Sequence, residues 1–107
     1  MQLLQTNPNA PAVITTEATN ITPTSAALNG QVNPNYVETT AWFEYGTDPL
    51  SMTNKTPAQS MGGSSYYISL TSATVTGLTT GTPYYYRTVA SSSISVNYGD
   101  TVTFTPR

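Results

Sequence analysis

The chain offers few side chains for acid–base chemistry, because it has five carboxylates and no histidine. The carboxylates are Glu17, Glu38, Glu44, Asp48 and Asp100. Hydrolysis of a glycosidic bond needs two carboxyl groups roughly 5–9.5 Å apart in a cleft. Glu38 and Asp48 are expected at opposite ends of one strand, and Glu44 has an expected partner in Arg87. The sequence therefore predicts that the chain is not an enzyme.

Metal, thiol and nucleophile chemistry is limited in the same way. With no cysteine and no histidine, the chain cannot form disulfides, thiolate or imidazole metal sites, or Ser-His-Asp and Cys-His nucleophile systems. A calcium site built on Asp48 and Asp100 would lack a sequence-local loop of ligands. Lys55 lies in a polar, loop-like setting, which argues against an internal isopeptide crosslink. We expect no metal site and no cofactor.

The low charge also restricts the partners. Five acidic and three basic residues give a net charge of −2 over 107 residues. Such a chain presents no electrostatic footprint for phosphate backbones or anionic lipids. No segment approaches the roughly 20 apolar residues that span a bilayer. The sequence predicts neither a nucleic-acid partner nor direct membrane insertion.

The elements that would position these residues are strands. Glycine, proline, threonine or serine interrupts every window before an apolar helical stripe can form. Alternating patterns and turn signals instead recur every 8 to 15 residues, as in a small sandwich or barrel. The clearest strands are predicted over residues 12–19, 25–32, 39–46, 84–91 and 100–105.

The remaining stretches are less regular. Residues 50–65 suit a short edge strand with loops. Residues 66–76 form a β-prone run whose apolar phase changes, which indicates a bulge near Thr71 or two separate strands; we favour the bulge. Residues 91–98 are expected to form a loop or hairpin. The sequence thus predicts about seven strands, preceded by a flexible N-terminal tail or linker over residues 1–10.

The segment from Leu78 to Arg87 carries the most specific pattern. It joins a leucine, a turn at Gly81 and a strand that opens with Tyr84. This segment resembles the E–F corner of a fibronectin type III domain. In that family a "tyrosine corner" packs its ring inward while its hydroxyl bonds to backbone a few residues upstream. The resemblance implies this structural role for Tyr84, with Leu78 and Gly81 beside it.

Two further segments, residues 24–35 and 43–46, are similar to strands B and C of fibronectin-III-like modules in bacterial and archaeal surface proteins and secreted enzymes. The resemblance implies an all-β, seven-stranded immunoglobulin-like β-sandwich with Greek-key topology, no disulfide and an extracellular location. The domain would cover residues 11–107. Many members carry tryptophan where this chain has Gly30, so Tyr86 or Tyr45 is expected to fill that volume. Cell-adhesive members carry an Arg-Gly-Asp motif that this chain lacks.

Alternation along two neighbouring strands predicts one surface patch. If Phe43 and Tyr86 face the core, the residues between the inward positions must face outward. The predicted patch comprises Trp42, Glu44, Tyr85 and Arg87, an aromatic pair beside an opposite-charge pair. Two interpretations stay open at this point. The patch stabilises a solvated face, or it contacts a neighbouring domain, a subunit or a glycan.

Three other features can be interpreted either as functional sites or as features without a function of their own. Asn20 and Asn54 each begin an Asn-x-Thr triplet, the acceptor pattern for N-glycosylation, although an Asn/Thr-rich chain produces such triplets by chance. Leu3 and Leu4 could add as a strand to the exposed edge of a neighbour. The alternative is that they belong to a disordered terminus or linker.

The sequence as a whole favours a non-catalytic extracellular module. It would act as a spacer, stalk or protein-interaction domain of a secreted enzyme or cell-surface protein, with neighbouring domains or subunits as its partners. Two alternatives remain. One is a structural subunit of an extracellular fibre, filament or virion that assembles by strand addition or sheet-face packing. The other is a weak carbohydrate-binding module that uses Trp42 and Tyr85 as a stacking platform.

Overall fold

The fold is all-β, as the sequence predicts. A computed structural model describes residues 9–107, and no helix occurs in that range. The strands, numbered in chain order, are β1 (Ala12–Thr19), β2 (Ala26–Asn33), β3 (Thr39–Gly46), β4 (Asn54–Lys55), β5 (Gln59–Gly62), β6 (Ile68–Ser69), β7 (Ala73–Val75), β8 (Tyr84–Ser92), β9 (Val96–Tyr98) and β10 (Val102–Phe104). They form two antiparallel sheets packed as a sandwich.

The first sheet is built around β2. This strand pairs with β1 along one edge and with both β6 and β7 along the other. Every second residue of β2 faces the other sheet, and all four of these residues are buried: Ala26, Leu28, Gly30 and Val32.

The second sheet is built around β3 and β8, which pair over eight residues each. The far edge of β3 carries β4 and β5. The far edge of β8 carries β9 and β10. Residues 39–46 form a strand with the predicted bounds, because the alternation of aromatic residues there fixes which side chains are buried.

Aromatic side chains fill the space between the sheets. The rings of Phe43 and Tyr86 meet edge to face with centroids 6.0 Å apart, and Tyr86 contacts Phe104 in the same way at 5.9 Å. Tyr84 stacks on Phe104 at 5.7 Å. The Tyr86 hydroxyl donates a hydrogen bond to the Thr16 carbonyl. Burial raises the pKa of Tyr86 to about 12, since a phenolate would lose its hydration there.

The position of Gly30 differs from what the resemblance implied. A β-carbon at residue 30 would lie 2.1 Å from Thr88 Oγ1 and 3.2 Å from Phe43 Cε1. The volume directly above Gly30 is therefore taken by Thr88 and Phe43. Tyr86 is fully buried beside Phe43, and Tyr45 packs only partly buried against the core.

The run between residues 66 and 76 forms two separate strands, so the bulge that we favoured gives way to the second alternative. The break occurs at Thr71, whose backbone N–H donates to Gln59 Oε1 at 2.8 Å. Gln59 Nε2 in turn donates to the Thr71 carbonyl at 2.9 Å. The Gln59 amide replaces a strand partner at this point and links the two sheets.

The described chain enters the sandwich at one end and leaves it at the other. Asn35 Nδ2, just beyond β2, donates to the Ala10 carbonyl at 2.6 Å. At the opposite end of β2, the Arg107 N–H donates to the Thr22 carbonyl at 3.0 Å. Eight residues of strand separate these two ends, which corresponds to about 24 Å.

Candidate functional site

The outer face of the second sheet brings together the predicted opposite-charge pair. Glu44 and Arg87 are direct cross-strand neighbours on β3 and β8. Arg87 donates to Glu44 Oε1 through Nη2 at 2.9 Å and through Nε at 3.2 Å. The Glu44 side chain is 16% exposed and the Arg87 side chain is 32% exposed, so the pair is only partly screened by solvent.

Trp42 lies on the same face beside this ion pair. Its indole Nε1 donates to Glu44 Oε2 at 3.4 Å. Lys55, which the register places opposite Glu44, holds its ammonium 5.3 Å from the centre of the Trp42 ring. Glu44 therefore lies between two cations, and one of them covers the indole.

Tyr85 does not join Trp42, which corrects the predicted aromatic pair. The register places Tyr85 opposite Gly46 on β3 and Trp42 opposite Val89 on β8. Four residues along a strand separate the two rings, or about 13 Å. Alternation correctly puts both side chains on the outer face, but it carries no information about cross-strand register.

Tyr98 on β9 takes the place that the sequence assigned to Tyr85. It pairs with Val89 across the sheet, and the Arg87 guanidinium lies 4.2 Å from its ring centre. Val89 is completely buried although it lies on the outer face, because Trp42 and Tyr98 flank it on the two neighbouring strands. We call the set Trp42, Glu44, Lys55, Arg87 and Tyr98 the charged-aromatic face.

Two of its members, Lys55 and Tyr98, were not singled out from the sequence as part of this surface. Lys55 and Tyr98 reach this surface because β4 pairs with β3 and β9 pairs with β8. The alternation of apolar residues along a strand does not reveal which strands pair. In the folded chain each ring has a cation over one side and the carboxylate is engaged by Arg87. This arrangement stabilises the face, and the Trp42 side chain within it is only partly exposed.

The corner before β8 has the contact that the resemblance implied. The Thr79 N–H donates to the Tyr84 hydroxyl at 2.9 Å, and Tyr84 is buried. Leu78 is also buried and donates its N–H to the Thr24 carbonyl at 2.9 Å. Gly81 has a φ of +81° and bonds through its N–H to Pro106, a conformation that favours glycine.

Both candidate glycosylation asparagines are exposed. The threonines of their triplets are engaged within the fold. Thr22 Oγ1 accepts from the Thr24 N–H at 3.3 Å, and Thr56 Oγ1 accepts from the Phe43 N–H at 2.9 Å. These bonds give both threonines a structural reason to be present. Leu3 and Leu4, the candidate strand donors, lie outside the described residues.

The carboxylates do not converge on a cleft within residues 9–107. One open groove runs between the end of β1 and β10 and contains a single carboxylate, Glu17, with Arg107 nearby. A second groove, lined by residues 56–60 and 71–73, contains no charged side chain. The described residues include no cluster of three metal-ligating side chains.

Comparison with known proteins reveals likeness at the level of the fold. No protein-family model matches the sequence, and no curated protein matches it. The sensor domain of the anti-sigma factor RsgI4 from Pseudobacteroides cellulosolvens superposes with a TM-score of 0.69 at 21% identity, covering 95% of this chain and 97% of that domain.

Two further solved structures give the same result. The solution structure of the RsgI4 sensor domain from the same organism has a TM-score of 0.68 at 20% identity, over 91% of this chain and 75% of that one. A myokine structure has a TM-score of 0.53 at 18% identity, over 94% of this chain and all of that one. At these identities the likeness shows a shared β fold.

One feature of the chain bears on membranes. None of the described residues forms a helix with the length and hydrophobicity that crossing a bilayer requires.

Proposed function

We propose that the chain is a non-catalytic, extracellular β-sandwich module of the fibronectin type III kind, acting as a spacer, stalk or protein-interaction domain of a longer secreted or cell-surface protein. The observation that carries this proposal is where the described part of the chain enters and leaves the sandwich. Asn35 and Asn97 hold the carbonyls of Ala10 and Pro11 at one end of the sandwich. Arg107 is held by Thr22 at the other end.

The strand pairing supports the fibronectin-like assignment. β4 and β5 share one edge, as do β6 and β7, and β9 and β10. Strands that share an edge can be counted as one position, which makes three positions in the first sheet and four in the second. This count supports the seven-stranded Greek-key topology that we propose. The tyrosine corner at Tyr84 supports the same assignment.

The surface chemistry supports a passive role in an assembly. The charged-aromatic face is held by its own ion pair and cation–π contacts, and the grooves lack paired acids. A module with few charges responds weakly to salt, and a module without cysteine is insensitive to disulfide exchange. Neighbouring domains or subunits are the partners that we expect.

Light scattering coupled to size-exclusion chromatography tests the proposal against a fibre subunit. The full chain is compared with a variant lacking residues 1–8, which spares the hydrogen bonds made by Asn9 and Ala10. A spacer module is monomeric in both forms across a wide concentration range. Growth in size that disappears with residues 1–8 would instead support assembly by strand addition through Leu3 and Leu4.

A second experiment tests the linear arrangement itself. Two copies joined from Arg107 to Met1 should be about twice as long as one copy in small-angle X-ray scattering, because Ala10 and Arg107 are held at opposite ends of the sandwich. A tandem chain whose largest dimension barely exceeds that of one copy would contradict the spacer role.

A further inference from the structure

The turn between β2 and β3 has a tyrosine at a position that suits glycine. Asn35 and Tyr36 have positive φ values of 52° and 71°, and the Val37 N–H donates to the Pro34 carbonyl at 3.3 Å. Two consecutive left-handed residues closed by this bond form a type I′ turn, whose second central position favours glycine. A bulky residue there is strained.

The strained residue Tyr36 does not pack in the core. The residue is 74% exposed, so its ring does not stabilise the sandwich by burial. Strained backbone of this kind is characteristic of functional sites, where an observed outlier leads to a hypothesis of function. The turn holds an aromatic ring out in solvent at a cost in stability.

A second loop adds two more exposed tyrosines beside Tyr36. The Tyr36 N–H donates to the Ser64 carbonyl at 3.0 Å, which joins the turn to the loop between β5 and β6. In that loop Tyr66 is 67% exposed and Tyr67 is 44% exposed. We call residues 34–37 and 63–67 the tyrosine loops.

Side-chain bonds fix the two loops against each other. Asn33 Nδ2 donates to the Ser65 carbonyl at 3.1 Å, while its Oδ1 accepts from the Asn35 N–H at 2.9 Å. Ser64 Oγ donates to the Tyr66 carbonyl at 3.2 Å. A surface ordered before binding loses less entropy when a ligand arrives.

The tyrosine loops contain no charged residue. Glu38 follows directly after the first loop, whereas the cations Lys55 and Arg87 belong to the charged-aromatic face and Arg107 lies at the opposite end of the molecule. A ligand with negative charge would find no cation here and would meet Glu38. The loops therefore fit an uncharged ligand.

The exposed aromatic area is small beside that of a protein–protein interface. The three tyrosines together expose about 370 Å² if each can present roughly 200 Å². A stable protein–protein interface needs about 800 Å² on each partner. Separate exposed rings with hydroxyl and backbone groups around them instead fit a ligand that offers both C–H faces and hydroxyls.

We propose that the tyrosine loops bind a neutral polysaccharide. The rings of Tyr36, Tyr66 and Tyr67 pack against the C–H faces of sugar units, and their hydroxyls and nearby backbone groups bond to the sugar hydroxyls. This site lies away from Trp42, whose ring is covered by Lys55, and it does not depend on the oligomeric state of the module.

Affinity electrophoresis in native gels tests the proposal with the full chain. The gels contain hydroxyethylcellulose, arabinoxylan or galactomannan as neutral probes and polygalacturonate as an anionic probe. The chain has a pI near 4.5, so it migrates as an anion in each gel. We expect retardation by at least one neutral polysaccharide, relative to a non-binding reference protein, and none by polygalacturonate.

Tyr36→Gly separates binding from folding. Glycine removes the strain in the turn, so Tm should rise by several degrees while retardation is lost. The double variant Tyr66→Ala/Tyr67→Ala should also lose retardation with its fold intact. Tyr98→Ala is the matched control, because Tyr98 is 54% exposed but belongs to the charged-aromatic face; it should be retarded as the parent chain is.

Several results would overturn the proposal. Absence of retardation by all three neutral probes would exclude polysaccharide binding and leave a protein partner for the strained Tyr36. Retardation only by polygalacturonate would contradict the charge argument. Retardation that persists in both loop variants, or is lost in Tyr98→Ala, would place the site elsewhere.

Discussion

The hydroxyl oxygen of Thr88 lies 2.1 Å from the point that a β-carbon on Gly30 would occupy. Neither the Ile14 carbonyl at 2.9 Å nor Phe43 Cε1 at 3.2 Å leaves room on the other sides of that point. The two sheets therefore approach each other closely where β2 lacks a side chain, and Thr88 on β8 fills the space.

Gly30→Ala should destabilise the fold by about 2–3 kcal/mol, because the added methyl group overpacks a core that cannot shift. Thr88→Ala in the same chain should recover at least about 1 kcal/mol of that loss through direct coupling. Urea unfolding of the single and double variants measures both values. Gly63→Ala is the control, since its β-carbon would make only ordinary contacts. An equal cost at both glycines would refute the close approach.

Thr88→Val should stabilise the fold by about 1 kcal/mol. Thr88 is buried, and its hydroxyl has no hydrogen-bond partner among the described residues, so valine removes an unsatisfied polar atom at nearly constant shape. Thr39→Val gives the matched comparison, because the Thr39 hydroxyl is equally buried but donates to the Val37 carbonyl at 2.8 Å. That variant should lose about 1 kcal/mol. Chemical unfolding of both proteins distinguishes the two cases, and a loss in Thr88→Val would contradict the assignment.

Tyr84→Phe should cost about 0.5–1.5 kcal/mol of unfolding free energy, because the Thr79 N–H loses the hydroxyl of the buried Tyr84 as its acceptor. Tyr85→Phe on the outer face should change stability by less than about 0.5 kcal/mol. Thermal and urea unfolding of the two variants provide the comparison. Similar costs would be inconsistent with the inward register of Tyr84 on β8.

These predictions depend on different levels of information. The alternation of Phe43 with Trp42 and Glu44 predicts both the range of β3 and the outward direction of the patch. This is possible because successive side chains of a strand point to opposite faces of the sheet. The break at Thr71 depends on Gln59, twelve residues away. A contact of that kind leaves no periodic signal.

The surface sites show the same limit. The Glu44–Arg87 pair follows from the alternation of two strands that are neighbours in the fold, but Tyr98 and Lys55 join it only through the register of β9 and β4. The conformation of Tyr36 could not be predicted from the sequence either, because the left-handed turn is set by how the ends of β2 and β3 meet. Its residue type would argue against that backbone conformation.

Arg87→Gln should destabilise the fold by about 1–2 kcal/mol. Glu44 is largely covered and would lose its two charge-assisted hydrogen bonds. Lys55→Gln should cost less than about 0.5 kcal/mol, because Lys55 is exposed and solvent screens its charge. Urea unfolding at low salt measures both. Equal small losses would mean that the Glu44–Arg87 pair contributes no more than an ordinary surface pair.

Stability should fall at alkaline pH because of Tyr86. Burial raises the pKa of the folded Tyr86 hydroxyl from 10.0 to about 12, so the unfolded chain releases this proton at lower pH than the folded chain does. Since the folded state then binds more protons, the free energy of unfolding decreases as pH rises between about 10 and 12, and the tyrosine contributes its full stabilisation below about pH 10. The loss should be about 2 kcal/mol.

Urea unfolding at a series of pH values from 8 to 12 measures this dependence, and Tyr86→Phe is the informative variant. Phenylalanine also removes the hydrogen bond to the Thr16 carbonyl, which lowers stability at every pH, so the slopes are compared and not the absolute values. The variant should have a flatter alkaline decline than the parent chain, because it has no proton to release at that position. Parallel declines in the two proteins would show that another group controls the alkaline behaviour and that the buried Tyr86 hydroxyl titrates normally.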